Sequence, residues 1–147
     1  MPKAEFAFPG PLRDALVAAI LDGTKSSTTS LFDAYALLGE EVPAVGLRQA
    51  VVDSADEEVA VIETTEVRIV PVAEVDEAHA RDEGEGYTSV AEWRAGHEEF
   101  WHSAEVREEM GDPAFTVGDA TLLVLQRFRL VERTAEDATA DDVTAEA

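Results

Sequence analysis

Two segments rich in β-branched residues, 47–52 and 59–70, constrain the fold of this chain more than any other feature. Such residues favour a pleated, partly buried backbone. Only residues 53–58 separate the two segments, and four of these six are acidic, which is typical of an exposed turn. The pair therefore predicts an antiparallel hairpin. Pro71 ends its second strand, because proline cannot continue a hydrogen-bonded ladder.

The first half of the chain predicts one helix followed by extended or irregular backbone. Pro11 suits the first turn of a helix, and residues 12–21 carry apolar side chains at helical spacing. Gly23 lies where a left-handed residue ends such a helix. The hydroxyl-rich segment 24–30 then suits a short strand or turn, and 37–46 is predicted to be a loop.

The second half predicts two helices and a last strand. A short helix is expected over 75–83, followed by two glycines. Ser89 begins a second helix with a capping box, and Pro113 breaks it. The buried face of this second helix is predicted to consist of Val90, Trp93, His97, Phe100 and Trp101. Residues 121–131 predict the final strand.

This order of elements predicts an α+β domain built around a curled sheet. A doubly wound sheet does not fit, because it needs repeated alternation of strand and helix. The length of 147 residues fits one domain, predicted to cover 1–133, and a hydrophobic content of 46% is enough for a core. Residues 134–147 hold five acidic side chains, no basic one and no aromatic one, so we predict a disordered acidic tail.

The formal net charge of −21 limits the partners of this chain. Without the tail, 27 acidic residues still face 11 basic ones, which leaves −16. Such a surface repels phosphate backbones, so we expect no DNA partner, although the acidity also fits a general adaptation for solubility. No apolar run approaches the roughly 18 residues of a membrane span, no signal peptide is recognisable, and cysteine is absent. These features predict a cytoplasmic protein without membrane contact.

Three local patterns resemble known sites without meeting their geometry. Residues 23–26 share part of a phosphate-binding loop, but they follow a helix instead of opening one. His97 and His102 are about 140° apart on a helix and cannot share a zinc ion, so they are expected at the core edge and on the surface. Glu83 and Glu85 alone are a weak calcium signal. We therefore predict no metal and no cofactor.

A lysine and a threonine three residues apart are the stronger candidate for chemistry. In Gly23-x-Lys25-x-x-Thr28, the amine follows a helix end and is able to reach the hydroxyl. If a cleft excludes water from the ammonium, its pKa falls, and the neutral amine can activate the threonine as a nucleophile for acyl transfer. The pattern also fits an ordinary solvated lysine near a helix C-terminus and a threonine without a catalytic part.

These residues resemble the signature of the ASCH domain family. The lysine–threonine motif after an amphipathic helix, the segment 79–86, the helix with Trp93 and the last strand follow in the order typical of that family. The similarity runs over about residues 6–131. It implies a PUA-like curled β-barrel with flanking helices and a cleft beside the first helix.

The resemblance also implies site residues. One branch of the family comprises amidohydrolases of N4-acetylcytidine that use a lysine, a threonine and a glutamate, and another is described as ribonucleases. By this similarity Lys25 is the base and Thr28 the nucleophile. Glu83 is the carboxylate that positions the substrate or returns the proton. Ser27 and Arg127 are expected to bind the substrate.

Different functions remain open at this point. The first is C–N hydrolysis of an acylated nucleoside, and the second is an RNA-binding or RNA-processing module, which the net charge opposes. A ligand-binding domain without catalysis is a third. Basic residues that would support RNA binding, if they converge, are Lys25, Arg48, Arg68, Arg127 and Arg129. Thr29-Ser30 stands where the small amidohydrolases carry an arginine and an acid, so the substrate is less defined than the site.

Overall fold

The computed structural model describes residues 1–133, and the predicted disorder of 134–147 lies outside this part. The strands are β1 (Lys3–Ala4), β2 (Ser27–Leu31), β3 (Arg48–Val52), β4 (Glu58–Pro71) and β5 (Leu122–Glu132). The helices are α1 (Pro11–Asp22), α2 (Phe32–Leu37), α3 (Glu77–Asp82), α4 (Val90–Trp101) and α5 (Ala104–Met110), with a short 3-10 helix at Val72–Glu74. Within residues 1–133, no helix is long and apolar enough to cross a membrane.

The five strands form one sheet in the order β1-β3-β4-β5-β2. β3 and β4 pair antiparallel, which confirms the predicted hairpin. β5 lies antiparallel between β4 and β2, and β1 adds to β3 in parallel. β1 and β2 are the edges of the described sheet. The α+β class is therefore confirmed, whereas closure of the sheet into a barrel is not.

Two hydrophobic clusters pack against the sheet. β5 contributes to both, because successive side chains of a strand point to opposite faces: Leu123 and Leu125 lie in one cluster and Phe128 in the other. The first cluster joins β5 to α3, α4 and α5 through Ala80, Trp93, Trp101, Val106 and Met110. The second joins it to α1 through Val17 and Ile20. The sheet thus holds α1 on one side and the three later helices on the other.

α1 and the turn after it set the position of Lys25. The helix begins with a proline and ends at Gly23, whose φ of 88° lies in the left-handed region that glycine tolerates. The amide of Lys25 donates to the carbonyl of Ala19 at 3.1 Å, and the amide of Ser26 to the carbonyl of Asp82 at 2.8 Å. These two hydrogen bonds hold the start of β2 against the ends of α1 and α3.

The helices differ from the predictions in three details. The helix expected to run to Pro113 is two helices, α4 and α5, because the Ser103 hydroxyl accepts from an amide in the first turn of α5 and starts a new helix there. α2 follows β2 directly and was not predicted. Only half of the capping box forms: the Ser89 hydroxyl accepts from the Glu92 amide at 3.1 Å, whereas the Glu92 carboxylate accepts from the amide of Thr88.

Candidate active site around a buried glutamate

A buried carboxylate lies where β2, α3 and α4 meet. Glu83, the residue that ends α3, is 1% exposed. Its Oε2 accepts from the Thr29 hydroxyl at 2.6 Å and from the Trp93 indole N–H at 2.8 Å, and His79 Nε2 lies 3.0 Å away. Its Oε1 accepts from His97 Nε2 at 3.1 Å. Donors from three elements (β2, α3 and α4) therefore hold this carboxylate, and each of its oxygens has at least one of them.

Helical spacing brings these donors to the carboxylate. His79 and Glu83 are four residues apart at the end of α3, and Trp93 and His97 are four apart on α4, so each pair shares one helix face. The Trp93 and His97 rings stack with centroids 4.3 Å apart. The Asp76 carboxylate caps α3 by accepting from the His79 amide at 2.9 Å. The two helices thus present four polar groups at one point.

Lys25 approaches the same carboxylate from the end of α1. Its side chain is 1% exposed, and its Nζ donates to the carbonyls of Ser27 at 2.8 Å and of Glu83 at 3.3 Å. Nζ also lies 3.7 Å from Glu83 Oε1 and 5.9 Å from the centre of the Phe6 ring. Burial lowers the pKa of Lys25 below its ordinary value of 10.5, although Glu83 and Glu85 act in the opposite direction. Lys25 thus has the desolvation that a lysine base requires.

The environment keeps Glu83 ionised. Burial alone would raise the pKa of this carboxyl, but the hydrogen bonds from His79 and His97 and the charge of Lys25 outweigh burial. Together they hold the pKa of Glu83 well below its ordinary value. Because the folded pKa is depressed, this group stabilises the fold above its unfolded pKa. That contribution is lost as the pH falls through the folded pKa.

His97 connects the buried carboxylate to the cleft. Its Nδ1 lies 2.8 Å from the Trp93 carbonyl and its Nε2 faces Glu83, so both ring nitrogens meet acceptors, as in an imidazolium. Burial lowers the pKa of His97, but the bond and the charge of Glu83 outweigh it and raise that pKa above 6.5. Glu83, Glu85 and His97 place their ligand atoms within 4.8 Å of one another, a spacing that could hold a metal ion. The nearby ammonium of Lys25 disfavours a cation there.

One cavity of about 920 Å³ connects the candidate residues. Lys25, Thr28 and Glu83, the predicted catalytic set, all line it. The hydrogen bonds of Lys25 Nζ go to carbonyl oxygens, and within residues 1–133 none joins it to the Thr28 hydroxyl. Phe100 lines the cavity and is half-buried, whereas Trp93 is completely buried. Both had been expected on the buried face of their helix.

The two predicted substrate-binding residues lie outside the lining of this cavity. The Ser27 side chain is completely buried, and its hydroxyl donates to the His79 carbonyl at 3.1 Å, which ties β2 to α3. Arg127 pairs with Asp82 through a 2.8 Å contact. Both residues therefore serve the packing of α3 against the sheet in this arrangement.

Comparison with known proteins identifies the family. The sequence model of the ASCH domain family matches residues 5–132. The chain belongs to the ASCH domain family. A comparison with curated proteins gave no match.

Two solved structures are similar to this ASCH domain. The ASCH domain from Lactobacillus crispatus JV V101 is 30% identical with a TM-score of 0.76, over 90% of this chain and 80% of that chain. Protein EF3133 from Enterococcus faecalis V583 is 28% identical with a TM-score of 0.71, over 85% of this chain and 72% of that chain. The family expected from the sequence is thus confirmed.

Four residues of this candidate site are not among the site residues predicted from the sequence: Thr29, His79, Trp93 and His97. Trp93 and His97 had been assigned to the core and its edge, and Thr29 had been noted only as a departure from related enzymes. The available signal was the four-residue spacing in each helix, His79 to Glu83 and Trp93 to His97. That spacing shows which residues share a face but not that the two faces meet.

The turn after Glu83 provides a stability prediction. Gly84 has a φ of 74°, and a Cβ there would lie 2.6 Å from the Thr24 carbonyl oxygen and 2.8 Å from the Lys25 amide nitrogen. Gly84→Ala is therefore expected to cost about 2–4 kcal/mol of unfolding free energy, from the left-handed backbone and the overlap together. Gly86→Ala is the matched control, because Gly86 has a φ of 84° with no atom within 4 Å.

Urea unfolding of both variants measures the difference. The control is expected to lose only about 1–2 kcal/mol, the cost of the backbone conformation. Equal losses in the two variants would mean that the close approach of Gly84 to the Lys25 loop does not constrain the fold.

Proposed function

We propose that this ASCH domain is a C–N hydrolase that removes the acyl group from a small N-acylated nucleoside such as N4-acetylcytidine. The observation that carries the proposal is the buried Lys25 amine, whose pKa burial lowers, at the wall of a cavity that Thr28 also lines. The cavity volume of about 920 Å³ lies within the roughly 300–1,000 Å³ of small-molecule sites. It is large enough for a nucleoside.

In the proposed reaction each residue has one role. Lys25 in its neutral form takes the proton of the Thr28 hydroxyl, and the oxygen attacks the acyl carbon. The C–N bond then breaks, leaving the acyl group on Thr28, and water releases it as the acid. Glu83 remains an anion that holds Lys25 and His97 in place. Catalytic hydrogen bonds are often loose before substrate binds, so Lys25 and Thr28 need not touch in the free protein.

The arginines support a small substrate over an RNA strand. Arg127 pairs with Asp82 at 2.8 Å, and Arg48 and Arg129 both pair with Glu63, at 2.9 and 3.4 Å. Arg68 likewise contacts two carboxylates, those of Glu66 and Asp76. Arginines neutralised in this way release few counterions on binding a polyanion. The basic residues considered for the RNA-module alternative therefore offer no open basic groove.

Two neighbouring threonines provide a matched test. Thr28 and Thr29 are adjacent on β2 and both line the cavity, and it is the Thr29 hydroxyl that donates to Glu83. Thr28→Val is expected to lower kcat for acetate release from N4-acetylcytidine by about 10³-fold or more, since it removes the proposed nucleophile. Thr29→Val removes one of several hydrogen-bond donors to Glu83 and is expected to lower the same kcat by about tenfold.

Two outcomes would count against the proposal. If Thr29→Val abolishes turnover and Thr28→Val keeps it, the nucleophile is not Thr28. If the wild-type protein releases no acid from N4-acetylcytidine or its N4-acyl relatives, the hydrolase proposal is wrong. Salt-sensitive binding of an RNA oligonucleotide by that inactive protein would then favour the RNA module.

A further inference from the structure

Two carboxyl groups lie together at the cavity, and only one of them is fully held. Glu83 and Glu85 are separated by Gly84, whose left-handed backbone turns the second carboxyl back towards the first. Together with a nitrogen of His97, their oxygens lie within 4.8 Å of one another. Each of two neighbouring carboxylates disfavours the ionisation of the other, so the less stabilised one is expected to keep its proton to a higher pH.

Glu83 is the partner that stays ionised. Its oxygens accept from Thr29, Trp93 and His97, with His79 Nε2 at 3.0 Å and the ammonium of Lys25 at 3.7 Å. Hydrogen bonds of this kind favour the charged form of a carboxyl. A proton on Glu83 would displace one of these donors in a site that is 1% exposed. This carboxyl is therefore a poor shuttle for protons.

Glu85 meets the opposite conditions. It is only half-buried, it lines the cavity, and a carboxyl oxygen of Glu85 lies within 4.8 Å of one of Glu83. Because Glu83 stays ionised, its nearby negative charge favours the protonated form of Glu85. The charged and titratable groups that face Glu85 are Lys25, Glu83, His97 and Tyr87. Burial first, and then Glu83, raise the pKa of Glu85 against the opposing effect of Lys25 and His97.

We propose that Glu85 is the proton-transferring residue of this site, while Glu83 is a fixed anion that positions Lys25 and His97. This inference rests on the proposed C–N hydrolysis and assigns the proton that the reaction has to deliver. As the C–N bond breaks, its electron pair goes to nitrogen, which takes the proton of Glu85. The Glu85 carboxylate then takes a proton from the water that attacks the acyl-Thr28 ester. Thr28 recovers its proton from Lys25 as the acid leaves.

Two substrates with different leaving groups test the proposed role of Glu85. N4-acetylcytidine has a nitrogen leaving group that needs a proton, whereas p-nitrophenyl acetate has a leaving group that needs none. Glu85→Gln is expected to lower acetate release from N4-acetylcytidine by about 100-fold or more. On p-nitrophenyl acetate it should release one equivalent of nitrophenolate per protein in a burst and then stall, because no base remains to activate water. Thr28→Val measures the background without the proposed nucleophile.

A direct measurement on the wild-type protein tests the assignment without catalysis. Carboxyl ¹³C NMR of protein labelled in glutamate, with Glu83→Gln and Glu85→Gln to assign the signals, follows each group as the pH changes. We expect Glu85 to take up its proton at a higher pH than Glu83. The reverse order would overturn the proposal whether or not the protein turns over a substrate.

The two proposals fail in different ways. If the wild-type protein hydrolyses N4-acetylcytidine and Glu85→Gln keeps its rate within about threefold, Glu85 is not the proton donor and the hydrolase assignment stands. If the wild-type protein is inactive on every N4-acyl nucleoside, the proposed function fails, and with it the catalytic role of Glu85. The NMR titration then still decides which carboxyl keeps its proton to a higher pH.

Discussion

Replacing Lys25 with methionine is expected to lower kcat on N4-acetylcytidine by about 10²–10⁴-fold, the usual contribution of a positioned base. Methionine has a volume similar to that of lysine and suits a side chain that is 1% exposed, but it cannot take a proton. Lys25→Arg is the second variant, because arginine keeps a positive charge near Glu83 and stays protonated at neutral pH. Both variants should be equally inactive if the amine acts as a base. Substantial activity in Lys25→Arg would mean that the residue contributes only its charge.

The pH dependence of the wild-type enzyme follows from the same group. Only the neutral amine of Lys25 accepts a proton, so the rate should rise as the pH increases through the pKa of Lys25, and the need for a protonated Glu85 adds a falling limb, which makes the profile bell-shaped. Burial lowers the pKa of Lys25 below 10.5, so the rise in rate is expected below pH 10.5. Measurement of kcat/KM as a function of pH tests this expectation. A rate that falls with increasing pH throughout this range would contradict a lysine base.

Trp93→Ala is expected to give the largest loss of stability, about 3–5 kcal/mol for the cavity left by a buried tryptophan. Trp93 is completely buried and also donates its indole N–H to Glu83, so the variant leaves an anionic oxygen with one donor fewer. Trp93→Phe keeps most of the ring and isolates that hydrogen bond, which is expected to contribute about 1.5–3 kcal/mol.

Trp101 supplies the matched control. It lies on the same helix, is 3% exposed and makes ring contacts with Trp93 and His97, but it has no bond to Glu83. Trp101→Phe should therefore cost less than Trp93→Phe in chemical unfolding experiments. Equal costs would mean that Trp93 is only a packing residue and that its hydrogen bond to the carboxylate adds nothing.

Thr29 lies at a position where this sequence differs from the small amidohydrolases that it resembles. The resemblance puts an arginine at this position in those enzymes, whereas here the Thr29 hydroxyl lies 2.6 Å from Glu83 and 2.7 Å from His79. The Thr29 hydroxyl is neutral, so the resemblance to those enzymes leaves the substrate undefined, and the substrate panel includes N4-acyl relatives of different size.

The sequence alone determined the features that depend on local backbone preference. Apolar spacing over 12–21 and the left-handed Gly23 defined α1, and β-branched residues on both sides of 53–58 defined the central hairpin. The lysine–threonine motif led to the ASCH family, which the comparison confirmed. In each case residues close in the chain determine the conformation, so the pattern is readable without knowledge of the packing.

Only the tertiary structure decided which side chains surround Glu83. Thr29 lies 54 positions away in the chain, and Trp93 and His97 reach the carboxylate because α4 packs beside α3. Helical spacing defines the face of each helix, but the angle at which two faces meet depends on the whole core. For the same reason the sequence could not show which threonine of β2 donates to Glu83. The structure shows that it is Thr29, because α3 packs against the start of β2 and brings Glu83 to that side chain.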